Sequence, residues 1–95
     1  MTASARLASD RLTIALLNAA VRGERPHCSD VETHHYWTGE HPAERALAAL
    51  ACRGCPVGRE CGEAAEANDE RWGVWNGVDR SVRAGRKLQR DSEAA

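Results

Sequence analysis

The sequence predicts a small all-α domain of about four to five short helices with one tight tryptophan-containing turn. Three observations predict it. Apolar residues recur at helical spacing in three separate segments; the single candidate β element is confined to "RWGVWNGVD"; and four cysteines are available to staple a core poor in large side chains. Hydrophobic residues make up 42% of the 95, but 17 of them are alanine, phenylalanine is absent, and Ile14 is the sole isoleucine. Alanine buries little area, and a chain this short hides a smaller fraction of its surface than a large one. Chains of this size use disulfides or a metal site to make up the difference.

Taken in order, the first element is a helix from about Ser4 to Arg22. Leu7, Ile14, Leu17 and Val21 form one stripe, widened by Leu12, Leu16 and Ala20, and Gly23 closes it. The stripe is expected to pack inward, with contact to a partner as the second reading. The segment "ERPHCSDVETHHYWTGE" reads as loop, with Ser29 or Asp30 capping a short helical turn that carries Tyr36 and Trp37. Pro42 suits a first helical position, and Ala43, Ala46, Leu47, Leu50 and Ala51 follow at helical spacing. Gly54 and Pro56 end that helix near Cys52. A further one from Val57 to Asn68 places Val57, Cys61, Ala64 and Ala65 on one face. The Asn76-Gly77 pair signals a type I′ turn, because both residues tolerate positive φ. Asp79 then caps a short basic helix over Arg80 to Arg90, ahead of a frayed "DSEAA" tail. The whole is one domain over 1–95: an N-terminal helix and loop (4–27), a cysteine-bearing core (28–68), the tryptophan turn (69–79) and a basic tail (80–95).

The N-terminal stretch carries Arg6, Asp10 and Arg11 before its apolar run and lacks a small-residue cleavage site after it, so it does not read as a secretory signal. No apolar run approaches the ~20 residues of a membrane span. A cytoplasmic location follows as the expectation, and in a reducing compartment clustered cysteines bind metal or do redox work more often than they form permanent disulfides. The formal net charge of -1 argues against a free-standing nucleic-acid binder, yet it hides two poles. Glu60, Glu63, Glu66, Asp69 and Glu70 form an acidic stretch, whereas Arg80, Arg83, Arg86, Lys87 and Arg90 form a basic one.

"ALACRGCPVGREC", residues 49–61, holds Cys52, Cys55 and Cys61, and Cys28 stands alone upstream, giving C-x23-C-x2-C-x5-C. Four thiolates satisfy either a tetrahedral zinc or a 4Fe-4S cluster. Zinc modules usually supply two tight pairs. Iron-sulfur sites often gather three close cysteines with a remote fourth, so spacing leans toward a cluster and leaves zinc, or a dithiol at Cys52 and Cys55, as alternatives. His27 beside Cys28 is a candidate substitute zinc ligand; His34, His35 and His41 read as solvated loop residues.

An isolated cysteine, an aromatic pair, "CRGCPVGREC" and "GVWNG" followed by a basic tail, all in register from Cys28 to Arg90, resemble the WhiB-like family of actinobacteria and their phages. The resemblance implies an all-helical fold wrapped around a 4Fe-4S cluster, with Cys28, Cys52, Cys55 and Cys61 as ligands. It implies docking on region 4 of the primary sigma factor within RNA polymerase holoenzyme, through Tyr36, Trp37 and the turn Gly73, Val74, Trp75, Asn76 and Gly77. It further implies promoter DNA contacts by Arg80, Arg83, Arg86, Lys87 and Arg90, weak without the partner, and a response to oxygen or nitric oxide. Two departures stand out: Tyr36 and Trp37 occupy the positions of the family's Phe-Phe pair, and Asn76 replaces a glycine of its G-[VI]-W-G-G turn. Asparagine is the substitute a positive-φ position tolerates best.

By chemistry alone, Trp37, Trp72 and Trp75 suit either the core or an interface, with Trp72 the first choice for the core; the resemblance moves Trp37 and Trp75 to the interface. The basic stripe reads equally as a phosphate-binding face or a solvated one. No general acid–base pair, phosphate loop or Ser/His/Asp set is evident, so the chain is not expected to be an enzyme. The alternatives of another class are a thiol-disulfide oxidoreductase using Cys52 and Cys55, which lacks a βαβ context, and a zinc-binding interaction module.

Overall fold

The computed structural model describes residues 2–81. Helix α1 (Ala3–Val21) is followed by two 3₁₀ turns (His27–Ser29 and His34–Trp37), α2 (Pro42–Ala51), α3 (Gly58–Ala67) and a hairpin of β1 (Val74–Trp75) and β2 (Val78–Asp79). The architecture is the small helical one expected, with one minimal antiparallel pair, Val74 opposite Asp79 and Trp75 opposite Val78.

Local chemistry sets the boundaries. The Thr2 hydroxyl caps α1 by accepting from the Ala5 amide at 3.1 Å. Gly23, at φ +77°, ends it as the Gly23 amide bonds the Ala20 carbonyl and the Glu24 amide bonds the Ala19 carbonyl, a Schellman closure. Pro42 occupies the start of α2, where its missing N–H costs nothing. Asn76 and Gly77 take φ of +49° and +78°, the two positive values of a type I′ turn. The Asp30 carboxylate accepts the Glu32 amide at 2.8 Å, starting the chain toward the aromatic turn. At the other end of the hairpin, Asp79 Oδ1 accepts the Ser81 amide at 3.1 Å. The basic helix predicted over Arg80 to Arg90 lies outside the described residues beyond Ser81.

Helix α3 closes in the same Schellman manner as α1, but with Asp69 rather than glycine in the left-handed position, at φ +51°. A side chain there carries a steric cost that glycine lacks. Asp69→Gly is expected to raise stability by about 0.5–1 kcal/mol, read as a shift of the denaturant midpoint at unchanged slope.

The packing of α1 differs from the expectation. Ala5, Ala8 and Ala19 are buried against α3, whose own Ala64 and Ala65 are buried. The large apolar residues face solvent instead, Leu17 at 62% exposure and Val21 at 88%, with Leu7 and Ile14 also exposed. Helical periodicity identifies an apolar face but cannot choose between an alanine face and a leucine face. Close approach of two alanine surfaces brings the helix axes together and leaves the bulky stripe outside. The Asn68 amide donating to Ser9 Oγ at 3.1 Å fixes the register. Leu17→Gln is therefore expected to change stability by less than about 0.5 kcal/mol, and Ala19→Leu to cost about 1–3 kcal/mol by overpacking, both measurable by urea unfolding.

The chain from the aromatic turn onward forms its own small core of Trp37, Ala48 and Val74, with Tyr36, Ala49 and Cys52 against it. One buried cation ties this region together. Arg45 on α2 is 5% exposed; its Nε donates to both Asp79 carboxylate oxygens at 3.0 and 3.2 Å, its guanidinium donates to the Gly39 carbonyl at 2.8 Å, and it stacks 4.9 Å from the Trp72 ring. Helix α2, the aromatic loop and the hairpin thus converge on one side chain.

Candidate metal centre

The four cysteines reach one region from three segments. Cys28 lies in the first 3₁₀ turn, Cys52 is the C-cap of α2, Cys55 follows in a tight turn, and Cys61 sits on the first turn of α3. Gly54 at φ +74° makes the turn between Cys52 and Cys55 possible, and the Cys55 amide closes it on the Cys52 carbonyl at 3.0 Å. All four are free thiols, Cys28 exposed and the others half-buried.

Their mutual influence shows in the thiol acidities. Loss of hydration pushes the Cys28 thiol above its ordinary pKa, and the neighbouring Cys55 and Cys52 push it further; its own backbone amide opposes them. Loss of hydration also raises Cys61, with smaller contributions from Cys28, Cys52 and Cys55, against a lowering hydrogen bond from the Asn76 backbone amide. Cys28 and Cys61 thus both resist becoming thiolates unless positive charge is supplied. Because these two folded-state values lie above the unfolded ones, the metal-free protein holds their contribution to stability below about pH 8.5 and loses it as pH rises through the folded values. A falling urea midpoint between pH 7.5 and 10, in the presence of a chelator, is the expected result.

Two further contacts serve the thiols. The Trp37 indole donates to Cys52 Sγ at 3.3 Å. His27 Nδ1 lies 2.6 Å from the Ala51 carbonyl, pinning the turn of Cys28 to the end of α2. That contact needs Nδ1 to carry the proton, so His27 acts as a strut and is not turned to the centre through that nitrogen. Sequence reasoning assigned it no structural role, since nothing in the local pattern signals a contact across 24 residues.

The hairpin lies directly over the centre. A Cβ on Gly77 would stand 3.9 Å from the Cys52 Cβ and 3.4 Å from the Ala49 carbonyl oxygen. The Asn76 side chain fits against α3 where Gly58 and Gly62 leave space; a Cβ on Gly58 would come within 2.7 Å of Asn76 Oδ1. An open groove of about 720 Å³ runs here between α2 and α3, bordered by Leu50, Cys52, Arg53, Cys55, Arg59 and Gly77. The Gly58 and Gly62 spacing on one helix face is the signal in the sequence that could have revealed this seat.

Among the aromatic and turn residues assigned to an interface, the structure separates two groups. Trp75 is half-buried, and Asn76 and Gly77 are exposed at the tip of the hairpin. Trp37, Gly73 and Val74 are buried, and Tyr36 packs partly against them. The expected roles of Trp37 and Trp72 are exchanged: Trp37 is 6% exposed, because its N–H finds a sulfur acceptor and its ring meets Ala48 and Val74. Trp72 is 50% exposed, held at the surface by its bond to the Thr38 carbonyl at 2.8 Å. Arg80 is also engaged internally. Its side chain is 11% exposed, bonding Glu66 at 3.1 Å and the Glu70 carbonyl, so the acidic stretch takes up the first cation of the basic one. Arg83, Arg86, Lys87 and Arg90 lie outside the described residues.

The sequence profile of the family described as Transcription factor WhiB matches residues 23–85, a span containing all four cysteines and the tryptophan hairpin. The chain belongs to the WhiB family. Among WhiB relatives it is 39% identical over 56 residues to the transcriptional regulator WhiB7 of Mycolicibacterium smegmatis, covering 57% of this chain and 54% of that protein. It is 36% identical over 67 residues to the transcriptional regulator WhiB2 of Mycobacterium tuberculosis, covering 70% and 72% of the two chains. The same identity and length relate it to the transcriptional regulator WhiB of Streptomyces coelicolor, covering 70% of this chain and 74% of that one. The chain thus spans about half the length of the WhiB7 relative. No solved structure matches it. No described helix is long and apolar enough to cross a membrane.

Proposed function

We propose that this WhiB-family chain is a transcriptional regulator that holds a 4Fe-4S cluster on Cys28, Cys52, Cys55 and Cys61. We further propose that it docks on region 4 of the primary sigma factor and contacts promoter DNA with its basic tail. The observation that carries the cofactor reading is the convergence of four thiols from three segments, with Cys28 and Cys61 disfavoured as thiolates by lost hydration and by the neighbouring cysteines. The donor set also fits on its chemistry: thiolates alone satisfy a cubane, and N–H donors already point at Cys52 and Cys61. Among the described residues, no three His, Cys, Asp or Glu side chains are gathered closely enough to hold a single ion. A cubane takes one thiolate at each iron and tolerates a wider ring than one zinc with bonds of about 2.3 Å.

When bound, the cluster supplies a redox- and nitric oxide-reactive centre. The chain's residues would connect that centre to the surface. Gly77 rests over Cys52, and the Asn76 amide bonds Cys61, so any displacement of these two cysteines is felt at the hairpin that presents Trp75. The half-buried Trp75, braced by its N–H on the Trp72 carbonyl at 2.9 Å, supplies a rigid aromatic anchor for a protein partner. With Arg80 occupied by Glu66, DNA contact falls to the residues beyond it, which phosphate attraction serves without reading sequence. The homologous regulators favour this reading over an oxidoreductase, which would leave Cys28 and Cys61 without a role.

Anaerobic purification followed by iron, sulfide and zinc assays and an absorbance spectrum on one sample tests the cofactor. About four irons with matching sulfide and an air-bleached brown chromophore are expected; one zinc without sulfide overturns the reading. Pull-down with sigma region 4, lost in Trp75→Ala, tests the partner.

A further inference from the structure

Among the described residues, Trp37 provides the one side-chain N–H bonded to a cysteine sulfur. The bond, Nε1 to Cys52 Sγ at 3.3 Å, is shielded, since Trp37 is 6% exposed and sits in the small core with Ala48 and Val74. Its acceptor occupies an unfavourable place for negative charge. Cys52 is the C-cap of α2, at the partially negative end of a ten-residue helix, and it lies near Cys28 and Cys61. The indole N–H is the compensating dipole.

We propose that Trp37 is a positioning residue that tunes the reduction potential of the centre through Cys52, an inference that rests on the cluster reading above. A hydrogen bond to a thiolate strengthens as the sulfur gains negative charge. It therefore favours the reduced form of a bound cluster over the oxidised one, holding the midpoint potential higher than the four sulfurs alone would set it. Trp37 has no need to touch the cluster to do this; the effect acts on the ligand.

The test compares three anaerobically reconstituted full-length proteins: wild type, Trp37→Phe, and the chain with 3-benzothienylalanine at position 37. The last keeps the shape of the indole while replacing N–H by sulfur. Iron and sulfide are counted, and the midpoint potential is read by dithionite titration followed in absorbance and electron paramagnetic resonance. Equal iron and sulfide in wild type and the benzothienyl protein, with a more negative midpoint in the latter, is the expected result, and Trp37→Phe shifts the same way. A packing defect that admits water moves the potential in the opposite direction, because solvent favours the more highly charged reduced state. Should Trp37→Phe lose its cluster through misfolding, the benzothienyl protein decides. An unchanged or more positive midpoint in the benzothienyl protein with its cluster intact overturns the role of Trp37 and leaves the cluster reading standing. Absence of iron and sulfide from the wild type overturns both.

Discussion

Under the cluster proposal, Cys28→Ala is expected to abolish cluster retention, with iron and sulfide falling to background and the visible chromophore lost. Cys28 is the informative position because it is the remote member of the set, carried on an exposed 3₁₀ turn and held near the others by the His27 contact to the Ala51 carbonyl at 2.6 Å. The other three cysteines are within ten residues of each other and converge through local turns, whereas Cys28 closes a loop of more than twenty. Removing it therefore removes both a ligand and a long-range crosslink, and binding energy at such a centre is folding energy. The same protein is expected to unfold at lower temperature than wild type after both are carried through identical anaerobic reconstitution. A Cys28→Ala protein that retains iron and sulfide at the wild-type ratio would falsify the ligand assignment. His27→Ala should fall between the two, weakening retention without eliminating a sulfur.

Arg45→Ala is expected to destabilise the protein by about 3–5 kcal/mol, the cost of leaving a buried partner charge uncompensated. Asp79 side-chain exposure is 16%, and its carboxylate loses both bonds from the guanidinium while keeping only the Ser81 amide. The Gly39 carbonyl and the face of Trp72 lose their cation as well. Arg45→Lys restores the charge without the planar fork, so it should recover part of the loss and no more. Arg45→Met combined with Asp79→Asn removes both charges and is expected to be less damaging than Arg45→Ala alone. Chemical denaturation of the four proteins in parallel checks the order. Since small domains are stable by only about 5–15 kcal/mol, the single Arg45→Ala change is expected to loosen the hairpin visibly at ambient temperature.

These two side chains illustrate how far the sequence could be followed. Cys28 was identifiable because cysteine spacing is a chemical pattern that survives any rearrangement of the intervening chain. Arg45 was not, because an arginine on a helix surface and an arginine drawn under a hairpin have the same local sequence. The Asn76-Gly77 turn, the proline at the start of α2 and the glycine after α1 were each legible, since each is a local backbone requirement met by a residue of matching φ preference. The direction in which α1 turns its two apolar faces was not, and the exchange of Trp37 and Trp72 between core and surface follows the same logic. Each indole N–H needed an acceptor, and the acceptors, Cys52 Sγ and the Thr38 carbonyl, are neighbours only in space.

The sequence by itself determined the helical class, the positions of turns and helix ends, and the set of four thiols, because these depend on backbone preference and on chemistry read within a few residues. Only the tertiary structure decided which apolar surface is buried, which tryptophan serves the thiols, and that Arg80 is spent on Glu66, because those outcomes turn on shape fit and on partners brought together across the fold.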